Sequence, residues 1–177
     1  LYPMYPNQRN RRLRQSPALR QLVCENQLTS NDLMLPLFIT EGNEVKDPIA
    51  AMPGCYRLSL DLLRNELKAI ADLGIKALLL FVKIDDALKD NKGTEALNPE
   101  GLMQKAIRTV KSITPEMVVM TDVALDPYSS YGHDGIMEEG KILNDPTVDV
   151  LSKMALSHAL AGADFVAPSD MMDGRVF

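Results

Sequence analysis

Four short apolar runs, each separated from the next by a helix-like segment, constrain the fold of this 177-residue chain more than any other feature. Runs that are apolar on both faces and alternate with helices are typical of a parallel sheet that is covered on both sides. We therefore predict an α/β protein with strands at residues 33–39, 75–82, 117–125 and 165–169. Two architectures fit, an open doubly wound sheet and part of an eight-stranded barrel. No GxGxxG or P-loop motif follows a strand, which weakens the nucleotide-binding form of the first.

Start and stop signals predict one helix in each interval between these runs. The first helix begins after Ser59 and ends at Gly74, because serine can cap free N–H groups and glycine ends helices. The second begins at Asn98, where the following proline suits the first helical position. The third begins at the Asp-Pro pair at residues 145–146 and ends at Gly162.

Composition indicates a soluble globular protein and argues against several functions. Apolar residues make up 46% and charged residues 24%, and no apolar run approaches the about 20 residues that a membrane span needs. The net charge of -5 gives a nucleic-acid role no global support. Cys24 and Cys55 form no paired motif, which predicts a reducing, cytoplasmic location and argues against a cysteine-rich zinc site.

The first 20 residues are strongly basic and so differ from the rest of the chain. They contain Arg9, Arg11, Arg12, Arg14 and Arg20. A basic arm can dock on an acidic neighbouring subunit, bind nucleic acid or an anionic membrane, or remain a solvated tail. The sequence favours a solvated tail or subunit docking over nucleic acid.

Residues 121–135 hold the best candidate for a polar functional site. Asp122 lies within the third predicted strand, and Asp126, His133 and Asp134 follow in a glycine-containing loop. A carboxylate in a strand core is costly unless it is paired or works in a polar cavity. Asp126 and Asp134 could bind Mg²⁺, a monovalent cation or an arginine, or could be ordinary turn residues.

Four further side chains have a functional and a structural interpretation. His158 shares an apolar helix face, which favours a packed, neutral histidine with its hydrogen bonds satisfied, and His133 is interpreted as a loop residue. Lys83 follows the second strand, where a Schiff-base lysine could stand, but two acidic neighbours favour a solvated, ion-pairing residue. Ser169 closes the fourth strand, where it could contact substrate or cap a helix.

Two segments carry a specific resemblance to a known family. TDVALDPYSSYGHDG at 121–135 and AGADFVAPSDMMDGRV at 161–176 resemble the porphobilinogen synthase family, also called δ-aminolevulinic acid dehydratase. Further matches are RRLR at 11–14, NDLMLPLFITEG at 31–42, MPGCYRLSLD at 52–61 and KDNKGTEALNPEGL at 89–102. The resemblance therefore extends over essentially the whole chain.

The resemblance implies a TIM (β/α)8 barrel preceded by an extended arm that wraps a neighbouring subunit, usually in an octamer. Residues 1–30 would form the arm, and residues 31–177 the first half of the barrel with about four strands. The implied reaction, a hydro-lyase step of tetrapyrrole and heme synthesis, condenses two 5-aminolevulinate molecules to porphobilinogen with loss of two waters.

The resemblance also implies roles for individual residues. Asp122 matches a catalytic carboxylate, and Ser169 and Phe81 match substrate-binding positions. Zinc-dependent members carry three cysteines where this chain has Ala124, Asp126 and Asp134. Because thiolates select zinc and carboxylates favour hard cations, the resemblance implies a magnesium-responsive, zinc-independent enzyme. Asp126 and Asp134 are therefore the candidate metal ligands, or alternatively contacts for a substrate amine.

The family's two Schiff-base lysines and its carboxylate-binding arginines match no position in this sequence. We therefore expect residues 1–177 to be inactive alone. Two other hypotheses stay open. One is a non-catalytic assembly fragment that uses the arm, and the other is an aldolase-like half-barrel with Lys83 as its Schiff-base residue.

Overall fold

The fold was described from a computed structural model, which covers residues 10–176. A short helix, α1 (Pro17–Leu22), precedes a six-stranded sheet. The sheet strands are β1 (Leu35–Thr40), β2 (Lys46–Pro48), β3 (Tyr56–Leu58), β4 (Ala77–Lys83), β5 (Val118–Val123) and β8 (Phe165–Pro168). The longer helices are α2 (Leu60–Asp72), α3 (Leu102–Ile113) and α4 (Asn144–Ala161), and a hairpin of β6 (Ile136–Glu138) and β7 (Lys141–Leu143) lies before α4.

Four parallel strands, β1, β4, β5 and β8, lie side by side in the order in which they occur along the chain. β1 pairs with β4, β4 with β5, and β5 with β8, all in parallel. β3 adds a short parallel pairing to β1 and an antiparallel one to β2. A doubly wound sheet reverses its order at a switch point, and no such reversal occurs along β1, β4, β5 and β8. The order is that of consecutive barrel strands.

All three long helices cover the same face of the sheet. α2 packs beside α3 and α3 beside α4, and the row lies on β1, β4, β5 and β8. Along β4, Leu78, Leu80 and Val82 are buried against this row, while Leu79 and Phe81 point to the other face and are half-buried. The prediction of a sheet covered on both sides is therefore wrong for residues 10–176. We call the uncovered side the open face.

Helix α2 follows its sequence signals closely. Leu63, Leu67 and Ile70 are buried at spacings of four and three, which is the period of one helix face. Gly74 follows the helix with a φ of +79°, a left-handed conformation that favours glycine. Ser59 precedes the helix as predicted, but its hydroxyl accepts from the N–H of Val45 at 2.9 Å instead of capping α2.

The predicted start of the second helix is wrong by three or four residues, because α3 begins at Leu102. The Asn98 side chain accepts from the N–H of Glu100 at 2.9 Å and so forms a tight turn. The backbone oxygen of Asn98 then accepts from the N–H of Gly101 at 2.8 Å. The Asn-Pro pair therefore closes a turn that comes before the helix.

The β6–β7 hairpin was not predicted. Its two-residue turn is Glu139–Gly140, with φ of +48° and +76°, and two consecutive positive φ angles suit a tight hairpin. The third long helix does begin within one or two residues of the predicted Asp-Pro pair and ends at Gly162, whose φ is +109°. Among residues 10–176, no helix combines the length and apolarity that membrane crossing requires.

Residues 10–30 are the described part of the predicted arm, and the structured stretch extends to residue 32. This stretch forms a 3-10 turn (Asn10–Arg14), helix α1 and a second 3-10 turn (Ser30–Asp32). Within this stretch α1 buries none of its side chains, and Leu22 is 81% exposed. Arg9 lies outside the described residues. That the arm wraps a neighbouring subunit remains a prediction.

Candidate functional site

The C-terminal ends of β1, β4, β5 and β8 form one edge of the sheet, which we call the carboxyl edge. Parallel α/β proteins place their chemistry at this edge because the loops that follow the strands converge there. The candidates Phe81, Asp122 and Ser169 all lie on or directly after these strands. The loop after β5 adds Asp126 and Asp134.

Asp122 is the most strongly defined of these candidates. Its neighbours Thr121 and Val123 are buried on the helix side of β5, so strand alternation directs Asp122 to the open face. Ser169 follows β8, and its hydroxyl donates to Asp122 Oδ1 at 2.5 Å. Sequence positions 47 residues apart are thus joined at the carboxyl edge.

The environment of Asp122 favours its neutral form. Burial raises the pKa of this carboxyl above its ordinary value, and the negative charges of Asp134 and Asp170 raise it further. The hydrogen bond from Ser169 acts in the opposite direction. A half-buried carboxyl with a raised pKa holds its proton more firmly than an ordinary aspartate, and carboxyls perturbed in this way cluster at functional sites.

Asp126 and Asp134 lie within electrostatic range of Asp122. Asp126 is exposed over part of its surface, yet partial burial of its carboxyl raises the pKa, and the charges of Asp134 and Asp122 add to the increase. The charge of Asp134 thus raises the pKa of both Asp122 and Asp126, and such a concentration of negative charge favours a cation beside these carboxylates.

Of the three positions that the resemblance matches to zinc-binding cysteines, two carry carboxylates, Asp126 and Asp134. The third, Ala124, is a buried alanine that offers no ligand atom, so the available side-chain ligands are oxygens. This chemistry fits a hard cation or an ammonium group better than zinc. Over residues 10–176, no three His, Cys, Asp or Glu side chains are grouped as metal ligands. Metal binding by Asp126 and Asp134 stays a prediction.

Phe81 contributes an aromatic wall to the open face. Its ring stacks on that of Phe38 across the β1–β4 pair, with centroids 5.3 Å apart and planes inclined at 19°. Leu80 pairs with Thr121, so Phe81 and Asp122 are each one residue further along neighbouring strands. Both side chains therefore share the open face, and substrate binding by Phe81 stays a prediction.

Both histidines lie where the sequence predicts, but the prediction that His158 is hydrogen-bonded on both sides is wrong, because its buried Nε2 has no partner among residues 10–176. His158 is fully buried on α4, and its Nδ1 lies 3.0 Å from Thr121 Oγ1. Burial lowers the pKa of His158 to about 4, so the ring is neutral near pH 7. His133 lies in the loop between β5 and β6.

Lys83 is the last residue of β4 and is exposed. This exposure agrees with the interpretation of Lys83 as a solvated residue. The aldolase-like hypothesis needs a buried amine at this position and gains no support.

Tyr128 is one site residue that sequence reasoning missed. Tyr128 lies in the loop after β5 and is only 2% exposed. The pKa of its hydroxyl is raised, chiefly by burial and then by the charges of Glu95, Asp122 and Asp126. The sequence shows only a tyrosine in a polar loop, and this does not predict burial, because such a tyrosine is as often exposed as buried.

Comparison with known proteins identifies relatives over nearly the whole chain. Residues 7–177 match the family described as Delta-aminolevulinic acid dehydratase. A chloroplastic delta-aminolevulinic acid dehydratase of Selaginella martensii is 54% identical over 98% of this chain and 42% of its own length. The delta-aminolevulinic acid dehydratase of Bradyrhizobium diazoefficiens is 49% identical over 95% of this chain and 48% of its own.

A solved structure gives the same result. The delta-aminolevulinic acid dehydratase (porphobilinogen synthase) of Toxoplasma gondii, in complex with the reaction product porphobilinogen, superposes with a TM-score of 0.91 at 49% identity. The match covers 95% of this chain and 48% of that one, so the chain spans about half the length of the relatives it matches. The chain described here belongs to the delta-aminolevulinic acid dehydratase family.

Proposed function

We propose that the whole protein is a porphobilinogen synthase, a hydro-lyase that condenses two 5-aminolevulinate molecules and releases two waters. The observation that carries this proposal is the hydrogen-bonded pair Asp122–Ser169 on the open face, in a chain that matches the family over residues 7–177. The related Toxoplasma gondii structure holds porphobilinogen, the product of this reaction.

The open face becomes the inside of a barrel in this proposal. Sequential parallel strands with all helices on one side are the arrangement that closes into a (β/α)8 barrel when further strands continue the sheet. The residues on the open face, Phe38, Phe81 and Asp122 among them, would then line the interior near its carboxyl edge. The Schiff-base lysines would come from the second half, and residues 1–177 alone would not turn over substrate.

Asp122 would exchange protons with the substrate groups that react. Its raised pKa suits this role, since a carboxyl that holds its proton more firmly than an ordinary aspartate can act as acid as well as base. Ser169 orients the carboxyl through its donated hydrogen bond, and Phe81 supplies an apolar wall.

Members of this family generally bind a metal ion. We propose Mg²⁺ for this protein, with Asp126 and Asp134 as its ligands, because the matched positions carry carboxylates and an alanine instead of thiolates. A bound Mg²⁺ would supply positive charge beside Asp122. The same two carboxylates could hold the substrate ammonium instead.

Assembly and location complete the proposal. The arm carries arginines and the exposed apolar side chains of Leu13, Leu22 and Leu28, which suit docking on a second copy of the protein, in an octamer as a whole. We also propose a reducing, cytoplasmic location, because Cys24 and Cys55 are both free thiols.

The substitution Asp122→Asn in the full-length protein tests the function. Asparagine keeps the size of the side chain and an oxygen that can accept from Ser169, but it cannot exchange a proton. We expect porphobilinogen formation to fall by about 100-fold or more while the thermal midpoint stays near that of the wild type. Near-normal turnover would remove Asp122 from the mechanism.

A matched control is Asp149→Asn. Asp149 is an exposed carboxylate on α4 that pairs with Lys153 at 2.6 Å. Loss of this exposed ion pair should leave porphobilinogen formation within about twofold of the wild type.

A further inference from the structure

Two asparagine side chains join three loops at the carboxyl edge. Asn91, in the loop after β4, donates from Nδ2 to the carbonyl of Met137 at 2.8 Å and accepts at Oδ1 from its N–H at 2.9 Å. Asn144, at the start of α4, makes the same two bonds with Asp173 after β8, at 3.0 Å to the carbonyl and 2.7 Å from the N–H. Each side-chain amide thus satisfies both backbone groups of one residue.

The hairpin β6–β7 lies between these two contacts along the chain. Met137 is the middle residue of β6, and Asn144 directly follows β7. Asp134 precedes the hairpin by two residues, so the hairpin sets where its backbone lies. A third contact holds the start of β6, since the N–H of Ile136 donates to the buried Thr147 Oγ1 at 3.0 Å.

The other end of the Asp126–Asp134 loop is also bound to the loop after β4. The N–H of Asp90 donates to the carbonyl of Tyr128 at 3.2 Å, and the N–H of Ser130 donates to the carbonyl of Asp90 at 3.1 Å. Gly135 packs so closely that an added Cβ would lie 2.4 Å from Ile142 Cγ2. The loop that carries the candidate ligands is therefore fixed at both ends.

We propose that Asn91 and Asn144 are positioning residues, which hold Asp134 beside Asp122 through the hairpin and so keep the substrate site assembled. The role rests on the proposed function, because it acts on the site proposed for 5-aminolevulinate. Without the asparagine bonds, the loop occupies several positions, and the apparent affinity falls by the fraction that remains competent. Bound substrate restores the competent position, so turnover at saturation is preserved.

The kinetic test uses Asn91→Ala and Asn144→Ala in the full-length protein. Each change removes two hydrogen bonds to backbone, and we expect the KM for 5-aminolevulinate to rise about five- to tenfold with kcat within about twofold of the wild type. A purely structural role has the opposite pattern, because partial unfolding lowers the number of active molecules and thus kcat, while KM stays constant. That pattern, or an unchanged KM, overturns the proposal.

Two further variants keep the test decisive. Asn91→Asp preserves size and the acceptor for the Met137 N–H but sets an oxygen against the Met137 carbonyl, so KM should again rise even if the alanine variant folds poorly. Lys92→Ala is the matched control, because Lys92 is the exposed neighbour of Asn91, and its KM should equal that of the wild type.

Amide hydrogen exchange separates this proposal from the proposed function. The N–H groups of Met137 and Asp173 should exchange at least about tenfold faster in Asn91→Ala and Asn144→Ala, respectively, because each loses its acceptor. A wild-type protein that forms no porphobilinogen would refute the proposed function, and the exchange rates would still decide on the asparagine contacts. Unchanged exchange rates at the N–H groups of both Met137 and Asp173 would overturn the proposed role of the two asparagines.

Discussion

Two adjacent residues of β5 serve opposite sides of the sheet. Thr121 faces the helices and lies 3.0 Å from the buried ring of His158, while Asp122 faces the open side and accepts from Ser169 at 2.5 Å. Because Thr121 and Asp122 are neighbours on one strand, a shift of β5 would displace both the contact with His158 and the contact with Ser169. The buried histidine therefore helps to anchor the strand that carries the proposed catalytic carboxyl.

His158 should make stability depend on pH in the mildly acidic range. Burial lowers the pKa of His158 from 6.5 to about 4, so between these values the unfolded chain binds a proton that the folded protein does not. The contribution to the free energy of unfolding is thus present above pH 6.5 and is lost as the pH falls toward 4. The loss is on the order of 3 kcal/mol.

Urea denaturation of wild type and His158→Gln at pH 7 and pH 4.5 measures this effect. We expect the variant to be less stable than the wild type at pH 7. Because glutamine does not titrate, this difference in stability should shrink at pH 4.5. A constant difference between the two proteins at both pH values would show that His158 does not take up a proton on unfolding.

At the scale of elements, the contact between α4 and the hairpin depends on one hydroxyl. Thr147 is fully buried, accepts from the N–H of Ile136 at 3.0 Å and donates to the carbonyl of Leu143 at 2.5 Å. Thr147→Val keeps the shape but leaves both backbone groups without this partner. We expect the free energy of unfolding to fall by about 1–3 kcal/mol, measured by urea denaturation.

The control for this change is Thr147→Ser, which keeps the hydroxyl and loses one methyl group. It should cost about 1 kcal/mol or less and should protect the N–H of Ile136 from hydrogen exchange better than valine does. If serine proves as harmful as valine, packing of the methyl group and not the hydroxyl holds the hairpin.

Elements with long periodic patterns were predictable from sequence, and elements stabilised by distant contacts were not. The buried face of α2 and the glycine after α4 are encoded within a few residues of each other. The β6–β7 hairpin has strands of three residues, and its partners Asn91 and Thr147 lie 46 and 11 residues away. No local pattern records such partners.

In the candidate site, single residues could be predicted from the sequence, but the contacts between them could not. Asp122 could be recognised because a carboxylate in an apolar strand is costly without a purpose. Its hydrogen bond with Ser169 depends on the pairing of β5 with β8, which only the fold supplies. The helix start at Asn98 failed for a related reason, since asparagine followed by proline suits both a helix cap and a turn.

At the scale of the whole molecule, β8 forms an edge of the described sheet. It pairs with β5 on one side, and Phe165 is 55% exposed. An uncovered apolar edge is a template for pairing with another chain. Residues 1–177 produced alone should therefore associate as their concentration rises, and Phe165→Lys should reduce this association.

Light scattering after size exclusion measures the mass at several concentrations. Leu73→Lys is the matched control, because Leu73 is 74% exposed but lies at the end of α2. An equal reduction by both lysine substitutions would mean that net charge, and not the edge of β8, governs association.

The strand order also bears on how the protein is made. β4 pairs with β1, β5 with β4, and β8 with β5, so each strand finds its partner in a segment that has already left the ribosome. Each of these pairings spans a segment that holds only one long helix, which keeps the entropy of loop closure small. Folding can therefore keep pace with translation, which proceeds at about 5–20 residues per second. The N-terminal sheet would then be ready as a surface on which later strands assemble.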